Sequence, residues 1–343
     1  MKKLLLFSLI LSAARVMAQD IHFSQYQMSP LNLNPAAAGT DGSAARGNIN
    51  YRSQWSAFGK PFQTMGASFD MGLLRKPGNG SFLGAGLNVF QDKAGSAGLS
   101  KLSIGGNISS VILVSKKTFF SLGVQISYNQ RAVSFGDAKW DSQFNGTSYN
   151  AGLPSGEGGS MSTRFFDFGA GLAYVIHGNS SNLSKGDDFS MNVGASVFHI
   201  NRPNQAFQGS DRMNMRYNGY AMFTIGMGSS NFQLQPQLAY WKQGGLQEIN
   251  VGTYFRYLLK PESQYTGFER GMAVSFGAFY RVKDAVYPAF MFEFGDWAIG
   301  VSYDINLSSL TPYSQSRGGM EISLRFRDIN GALFGGSTQY RSL

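Results

Sequence analysis

The chain has 343 residues, including 43 glycines, 28 phenylalanines and 16 tyrosines, and only 14% of its residues are charged. An average soluble domain is about 25% charged, so this chain is poor in charge and rich in glycine and aromatic residues. Cysteine is absent, which excludes a disulfide framework, a thiolate metal site and a lipidated N-terminal cysteine. No linker or low-complexity stretch divides the chain, and we therefore predict a single domain.

Residues 1–18 have the pattern of a secretory signal peptide, with a basic start, a short apolar run and a small residue at the end. We expect cleavage after Ala18. Removal of Lys2, Lys3 and Arg15 lowers the formal net charge from +9 to +6. The remaining basic residues are scattered singly, which disfavours a nucleic-acid partner.

Residues 19–43 follow the signal peptide and show no strand period. Proline interrupts this stretch, yet it carries Phe23, Tyr26 and Leu31, which are large side chains that need burial. We therefore expect an ordered segment without strands that plugs or caps a larger structure.

Residues 44–328 alternate apolar and polar side chains in about fourteen segments. In the first segment Ile49 faces one side while Arg46 and Arg52 face the other. A soluble sheet would place the apolar side on a core, whereas an outer-membrane barrel would place it on lipid and the polar side on the lumen. We predict an all-β fold, a transmembrane antiparallel β-barrel of about fourteen strands with an N-terminal plug-like segment, followed by a periplasmic tail at 329–343.

Residues 132–163, 201–215 and 307–317 are long gaps between predicted strands, and 178–188 and 259–270 are also long for periplasmic turns. A signal peptide indicates that the mature N-terminus lies in the periplasm, and strand counting then places the first three gaps outside the cell, as such barrels require. Pro236 interrupts the ninth strand, where we predict a bulge or a local lapse in pairing.

Single charged residues recur on the predicted lumen face of several strands. We predict that they form a network of ion pairs, and a selective pore is the alternative. The set comprises Arg46, Arg52, Lys101, Arg256, Arg325 and Arg327 with Asp70, Glu248 and Glu321.

The sequence offers little for metal binding or catalysis. The three histidines, His22, His177 and His199, lie in different predicted regions without the spacing of metal ligands. Ser196 is the nearest serine to His199, but a spacing of three puts the two side chains on opposite faces of a strand. We predict no enzymatic activity, no metal and no cofactor.

Acidic and amide side chains recur near the thirteenth strand, where Asp304, Asn306 and Ser308 are closely spaced and Asp284 lies on an external turn. Oxygen ligands of this kind suit calcium. Turn capping is the alternative that we favour for all four residues.

Four stretches carry a resemblance to a known family. They are HFSQYQMSPLNLNPAAAG at 22–39 with NYRSQW at 50–55, HINRPNQAF at 199–207, YRVKDAVYPAF at 280–290, and SYDINLSSLTPYSQSRGGMEISL at 302–324. Together they resemble the PorP/SprF family, the outer-membrane barrel components of the type IX secretion system. The resemblance covers nearly the whole mature chain.

This resemblance implies a non-enzymatic role in exporting or anchoring secreted proteins that carry a C-terminal sorting domain, such as a gliding adhesin. The implied partners are membrane lipid, the cargo's C-terminal domain and other secretion components, including periplasmic ones. The alternative function is an outer-membrane channel or transporter for small hydrophobic compounds, because fourteen-stranded transporters of that class also carry an N-terminal plug.

Two family-like external loops are the predicted partner contacts, because both combine proline with an aromatic side chain. The first contributes Arg202, Pro203, Asn204, Gln205 and Phe207, and the second Leu310, Pro312 and Tyr313. Alternatively, the prolines only terminate strands. The predicted lumen and plug residues are Phe23, Tyr26, Leu31, Arg46, Arg52 and Arg325.

Overall fold

A computed structural model of the chain describes most of the mature sequence. The described ranges are 20–54, 61–74, 80–94, 98–134, 140–150, 152–154, 159–178, 189–227, 230–260, 271–308 and 316–328. The signal peptide expected at 1–18 and the tail expected at 329–343 lie outside these ranges. Within them, no helix is long and apolar enough to cross a membrane.

Fourteen antiparallel strands form a closed barrel in which each strand pairs with its sequence neighbours and β1 pairs with β14. The predicted barrel and its strand number are confirmed. The strands are β1 (Ala45–Gln54), β2 (Phe62–Leu73), β3 (Phe82–Ala94), β4 (Leu99–Ser115), β5 (Thr118–Val133), β6 (Met161–Ile176), β7 (Phe189–Phe198), β8 (Arg216–Gly226), β9 (Phe232–Gln243), β10 (Leu246–Lys260), β11 (Met272–Arg281), β12 (Ala285–Phe294), β13 (Trp297–Asn306) and β14 (Arg317–Arg327).

Alternation along each strand sorts the side chains between the outside and the lumen. In β4, for example, Ile108 is 60% exposed on the outer face, while its neighbour Asn107 is 2% exposed on the inner face. Closure leaves no sheet edge unpaired, which a strand in lipid requires because water is not available to its backbone groups. The period of two in the sequence therefore separates apolar side chains that face lipid from polar side chains that face the lumen.

Two strand prolines occur where one neighbouring ladder is interrupted. Pro236 keeps its register with Thr253 of β10, but the registered pairs between β8 and β9 skip its position. Pro288 keeps its register with Ala278 of β11, and the pairs between β12 and β13 skip it in the same way. Proline has no N–H to donate to a ladder, so each interruption follows from the residue itself.

Aromatic side chains form two belts on the outer face, one near each end of the barrel. One belt consists of tyrosines, namely Tyr51, Tyr128, Tyr217, Tyr240, Tyr280 and Tyr303. The other is mostly phenylalanine and comprises Phe189, Phe223, Phe232, Tyr257, Phe294, Trp297 and Phe326. Aromatic girdles mark the two membrane interfaces of outer-membrane barrels, so the aliphatic band between these belts marks the bilayer.

The two ends of the barrel differ in their connections. The tyrosine end carries the connections 134–160, 199–215 and 307–316, and we call it the loop end. At the opposite end β1 begins at Ala45 and β14 ends at Arg327, and we call it the terminal end. The terminal end carries the connections 177–188 and 261–271, but the two longest connections, 134–160 and 199–215, lie at the loop end. Because long loops face outward in such barrels, we infer that the loop end is extracellular.

The described chain does not begin at the terminal end, as a periplasmic mature N-terminus would require. Asp20 lies at the loop end, where it contacts Lys101 of β4, Arg216 of β8 and Gln243 of β9. Residues 20–44 then return through the lumen to the start of β1. The expectation of a periplasmic N-terminus is therefore wrong, because the segment traverses the barrel that it occupies.

A charge on the lipid face should destabilise the barrel according to its depth. Val124 lies on the outer face of the aliphatic band in β5, and Gln130 lies on the same face beyond Tyr128 of the tyrosine belt. We expect Val124→Arg to lower the free energy of unfolding in lipid vesicles by about 2–4 kcal/mol, and Gln130→Arg by about 0–1 kcal/mol. Equal losses from the two variants in a urea titration would contradict the membrane position assigned to the belts.

Candidate functional site

The N-terminal segment inside the barrel consists of three single helical turns. They are Tyr26–Met28, Pro30–Leu33 and Pro35–Ala37. Pro30 and Pro35 each begin a turn, a position that needs no backbone donor. The side chain of Asn34 accepts a hydrogen bond from the N–H of Ala36 at 2.9 Å and so caps the last turn. Prolines and caps therefore keep this segment out of the β-ladder.

Polar groups of the barrel wall bind the free backbone groups of the segment. Three wall hydroxyls donate to segment carbonyls at 2.7 Å: Ser109 to Ala38, Ser121 to Ala36, and Ser196 to Leu33. Asn34 of the segment donates in turn to the carbonyl of Leu172 in β6 at 2.8 Å. Buried carbonyls without partners are costly, so these contacts allow a non-repetitive backbone to lie inside the barrel.

Glycines of the wall allow the segment to approach closely. A Cβ atom at Gly84 would lie 2.1 Å from the Ala38 oxygen, and one at Gly123 would lie 2.4 Å from the Ala36 nitrogen. On the segment itself, Gly39 has a φ of +69°, which glycine adopts without strain. Gly84 of β3 and Gly123 of β5 therefore make room for the backbone of the segment.

Asp20 forms a buried charged cluster at the loop end. Its carboxylate pairs with Lys101, lies 2.6 Å from Nε2 of His199 and lies 3.3 Å from Arg216. The other ring nitrogen of His199 lies 2.7 Å from Asp167. With a carboxylate at each ring nitrogen, the imidazole is suited to be protonated. We call Asp20, Lys101, Asp167, His199 and Arg216 the outer cluster.

Burial and charge act in opposite directions on the two titratable groups at the centre of the outer cluster. Burial opposes ionisation of Asp20, but the charges of Lys101 and His199 outweigh it and hold the pKa of Asp20 well below its usual range. Burial also opposes protonation of His199, but Asp20 and Asp167 outweigh it and raise the pKa of His199 above its ordinary value. Both shifts therefore favour the charged form of the group concerned.

A second cluster holds the segment at Ser24 and Gln25. Glu321 of β14 accepts hydrogen bonds from the backbone N–H of Ser24 at 2.7 Å and of Gln25 at 2.9 Å. Asp304 of β13 accepts from the Ser24 hydroxyl at 2.9 Å and pairs with Arg52 at 2.8 Å. The wall thus binds both the backbone and the side chain of the segment.

This geometry argues against the calcium site that the sequence suggests around Asp304. Asp304 is 2% exposed in the lumen, and Arg281 approaches its carboxylate at 3.1 Å in addition to Arg52. Both guanidinium groups contact Oδ2 and the Ser24 hydroxyl donates to Oδ1, so both oxygens that a cation would need are engaged. The parity of β13 points Asp304 inward, so its proximity to the next turn in sequence was misleading.

A third set of contacts ties the segment to the wall toward the terminal end. Arg46 makes two hydrogen bonds to Asp70, at 2.9 and 3.0 Å, and also approaches Asp41 at 3.3 Å. Arg325 donates to Glu293 at 2.9 Å. Each of the charged lumen residues predicted from the sequence has an ionic or hydrogen-bond partner among the described residues. This pairing favours a structural network over a selective pore.

The apolar side chains predicted to need burial lie inside the barrel. Phe23 packs against Gly66 of β2, and Leu31 packs against Gly86 of β3. Tyr26 meets Trp241 edge to face, with ring centroids 5.4 Å apart. Burial of such side chains contributes about 1.5–3 kcal/mol each. The segment therefore has an apolar core of its own in addition to its polar contacts.

The first predicted partner loop is ordered by its own contacts. Pro203 is buried, whereas Arg202 is exposed with a φ of +46°. Asn204 accepts hydrogen bonds from the backbone of Ala206 at 3.2 Å and of Asp211 at 2.7 Å, which closes the loop.

Two further residues of this loop contact neighbouring groups. The half-buried ring of Phe207 lies 5.3 Å from the Arg131 guanidinium of β5. Gln205 is half-buried and donates to Asp211. The residues of the second predicted loop, Leu310, Pro312 and Tyr313, lie outside the described residues.

The geometry gives little support for catalysis or metal binding. Ser196 donates to the segment, and His199 contacts two carboxylates instead of a serine. Within the described ranges, no group of three or more histidine, aspartate or glutamate side chains is arranged to hold a metal ion.

Sequence comparison identifies one family. Residues 16–326 match the family described as type IX secretion system membrane protein PorP/SprF. No curated protein matches the chain.

Comparison with solved structures finds other barrels. The translocator domain of the autotransporter NalP from Neisseria meningitidis is 13% identical, with 89% of this chain and 96% of that chain covered and a TM-score of 0.40. A FadL homologue from Pseudomonas aeruginosa is 11% identical, with coverage of 86% and 93% and a TM-score of 0.38. A TodX monoaromatic hydrocarbon channel mutant is 9% identical, with coverage of 87% and 92% and a TM-score of 0.45. Scores this low support no functional argument.

Adding a methyl group to a wall glycine should test the packing of the segment. Gly123→Ala places a carbon 2.4 Å from the Ala36 nitrogen, whereas Gly106→Ala in β4 meets nothing closer than 4.0 Å. We expect Gly123→Ala to lower the free energy of unfolding by about 1–3 kcal/mol and Gly106→Ala to change it little. Denaturant titration of both variants in the same detergent measures the difference, and equal effects would argue against a segment seated on β5.

Stability should depend on pH through the outer cluster. Because the pKa of His199 is raised in the folded state, its contribution is complete below the unfolded value of about 6.5 and is lost as the pH rises through the folded pKa. We expect the Tm difference between wild type and His199→Asn to be largest near pH 6 and to shrink toward pH 9. A difference that stays constant across this range would show that His199 acts only through packing.

Proposed function

Because the chain belongs to the type IX secretion system membrane protein PorP/SprF family, we propose that this outer-membrane component helps secreted proteins with a C-terminal sorting domain to leave the cell or stay attached to its surface. A gliding adhesin is one such cargo. In this proposal the protein is not an enzyme. The barrel anchors the component in the outer membrane, and its loops make the contacts with other proteins.

The observation that carries this proposal is the occupied lumen. Residues 20–42 are bound along their length to both halves of the wall, from Asp20 at the loop end to Gly39, whose N–H donates to Asp70 at 2.8 Å. A folded protein cargo could not share the lumen with this segment. We therefore assign cargo contact to the external surface of the protein instead of a conduit through it.

The loop 199–215 is the proposed cargo contact among the described residues. Its backbone is held by Pro203 and Asn204, so little conformational entropy is lost when it binds. Phe207 offers an aromatic side chain of the kind that dominates interface energies. Leu310, Pro312 and Tyr313 of the loop 307–316 are proposed to extend this contact.

The transporter alternative requires a path for a hydrophobic compound. A narrow opening beside the segment is lined by Asp20, His22, Arg216, Trp241 and Glu248, among others. Ligand sites of drug-like compounds are clefts of several hundred cubic ångströms, whereas this opening has room for little more than one water molecule. The lack of space supports the secretion role over transport of hydrophobic compounds.

Removal of the aromatic side chain in the first loop should weaken cargo retention. Phe207→Ala should reduce cell-surface cargo about tenfold if the ring contributes roughly 1.4 kcal/mol or more to binding. Phe144→Ala removes a 53% exposed ring from a different loop and serves as the matched control. Surface cargo is measured by antibody labelling of intact cells, and heat-modifiable gel migration verifies folding. Normal retention of cargo in the Phe207 variant would show that this loop is not part of the cargo contact.

The occupied lumen should also block passive flux. We expect wild-type barrels in planar bilayers to show little ion conductance. The double variant Asp20→Ala with Arg52→Ala should conduct more, because it loses two contacts that hold the segment in the lumen. Uptake of a small hydrophobic compound by wild-type vesicles, lost in the double variant, would favour the transporter instead.

A further inference from the structure

Charged residues are sorted between the two faces of the barrel wall. Every acidic residue on a described strand faces the lumen, as Asp167 and Glu293 do. The charged side chains that point outward from the described strands are all basic. At the loop end they are Lys93 of β3, Arg164 of β6, Lys242 of β9 and Arg317 of β14, which we call the outer cations, and at the terminal end there is Lys260 of β10. Positive charge on the outer face of the strands is therefore concentrated at the loop end.

The outer cations lie just beyond the tyrosine belt. Arg164 lies two residues from Phe166, whose partner across the ladder is Tyr128 of the belt. Lys242 lies two residues beyond Tyr240, and the registers of β3 and β14 place the other outer cations in the same way. Two residues of a strand advance about 7 Å. Because aromatic belts lie at the membrane interface, the outer cations lie at the level of the lipid headgroups.

The outer cations are not neutralised by the protein. All of them are exposed, and none has a side-chain ion pair or hydrogen bond with another described residue. Acidic side chains at this end of the barrel, such as Asp211 and Asp284, lie in the connections and accept hydrogen bonds from Gln205 and Arg281. The outer cations are therefore available to an anion that approaches from the surrounding membrane.

An amide side chain lies directly across the ladder from most of the outer cations. Gln63 pairs with Lys93, Gln130 with Arg164, and Gln247 with Lys242. Residues opposed in this way share a face, with Cβ atoms about 5 Å apart. Lysine and arginine offer only donors, whereas an amide offers both donors and an acceptor. Each pair is thus suited to a phosphate and a neighbouring hydroxyl of one headgroup.

The wall below the outer cations is apolar. On β6 the side chains of Phe166, Phe168 and Leu172 follow Arg164 on the outer face, and all three are exposed. On β9 Leu238 is exposed in the same way below Lys242. Acyl chains can lie along such a surface while their headgroup reaches the cations. The arrangement fits an amphipathic ligand that combines acyl chains, phosphate and hydroxyl groups.

We propose that the outer cations and their partner amides bind the headgroup of a phosphorylated glycolipid in the outer leaflet of the outer membrane. The phosphate pairs with the lysine or arginine, as phosphates do in charge-assisted hydrogen bonds, and the sugar hydroxyls bond to the amides. Phosphatidylethanolamine carries an amine beside its phosphate and no hydroxyl, so it matches this surface less well. The bound glycolipid holds the loop end of the barrel at a fixed depth in the membrane.

This inference goes beyond the proposed function by naming a lipid partner of the wall. It uses the assignment of the loop end to the cell exterior, but none of the residues proposed to contact cargo. Failure of the cargo experiment therefore leaves the glycolipid proposal standing, and the reverse also holds.

Native mass spectrometry of the purified full chain, released from detergent micelles, tests the proposal. The probe is lipid A, a phosphorylated disaccharide with acyl chains, and its controls are enzymatically dephosphorylated lipid A and phosphatidylglycerol. We expect saturable adducts of lipid A and about tenfold weaker binding of both controls. Replacement of all the outer cations by glutamine should reduce the affinity for lipid A by about tenfold or more.

Two double variants control for the loss of positive charge. Arg164→Gln with Lys242→Gln should lower the amount of lipid A bound at a fixed concentration about twofold, since the other outer cations remain. Lys116→Gln with Lys260→Gln removes the same charge from exposed positions at the terminal end and should bind lipid A as wild type does. Heat-modifiable migration confirms that each variant is a folded barrel.

The amides are tested by Gln130→Ala with Gln247→Ala, which keeps every cation. We expect this variant to lose preference for lipid A over phosphatidylglycerol, because the hydroxyl contacts are removed while the phosphate contacts remain. The proposal is overturned if lipid A does not bind, if either control lipid binds equally well, if the two charge variants lose equal amounts of lipid A, or if the amide variant keeps its full preference.

Discussion

The structure depends on hydrogen bonds between inward-facing wall side chains and the backbone of the N-terminal segment. A chain inside a barrel has neither a ladder nor bulk water for its N–H and C=O groups, and each unpaired group is costly. Glu321 supplies acceptors to two consecutive N–H groups, and wall serines supply donors to three carbonyls. These contacts explain how a lumen lined by polar side chains can be filled by a segment of the chain.

Ion pairs fix the same segment at both ends. Asp20 is held at the loop end, and Asp41 is held through Arg46 toward the terminal end. Buried ion pairs are weak sources of net stability, but removing one partner is strongly destabilising. The pairs therefore determine where the segment lies, while Phe23, Tyr26 and Leu31 provide the apolar burial. The proposed cargo contact lies at the loop end, outside this occupied lumen.

Much of the barrel could be predicted from sequence, because period two is a local property of each strand. Alternation along β4 is enough to place Ile108 on the outer face and Asn107 on the lumen face. Pro236 predicts the interruption of hydrogen bonding at its own position. The inward direction of Arg46, Arg52 and Arg325 follows from the same rule. Burial of the segment also follows, since large apolar side chains without a strand period need a partner.

The ionic partners and the direction of the segment could not be predicted in the same way. Asp20 pairs with Lys101 and Arg216, which lie 81 and 196 residues away in sequence, and no local pattern encodes such distances. Asp304 shows the same limit, since its sequence neighbours suggest a turn while its partners lie across the lumen. A periplasmic N-terminus was a reasonable default for a secreted barrel, and only the return of residues 20–44 through the lumen contradicts it.

The central claim is that residues 20–42 are a fixed part of the barrel interior. Hydrogen–deuterium exchange of the folded protein in lipid nanodiscs, read by mass spectrometry, tests this claim most directly. Peptides covering Ser24 to Gly39 should be protected as strongly as those of β4 and β5, because the N–H groups of Ser24, Gln25 and Gly39 are bonded to the wall and others are bonded within the turns of the segment. Complete exchange of this segment within seconds, with the strands still protected, would contradict it.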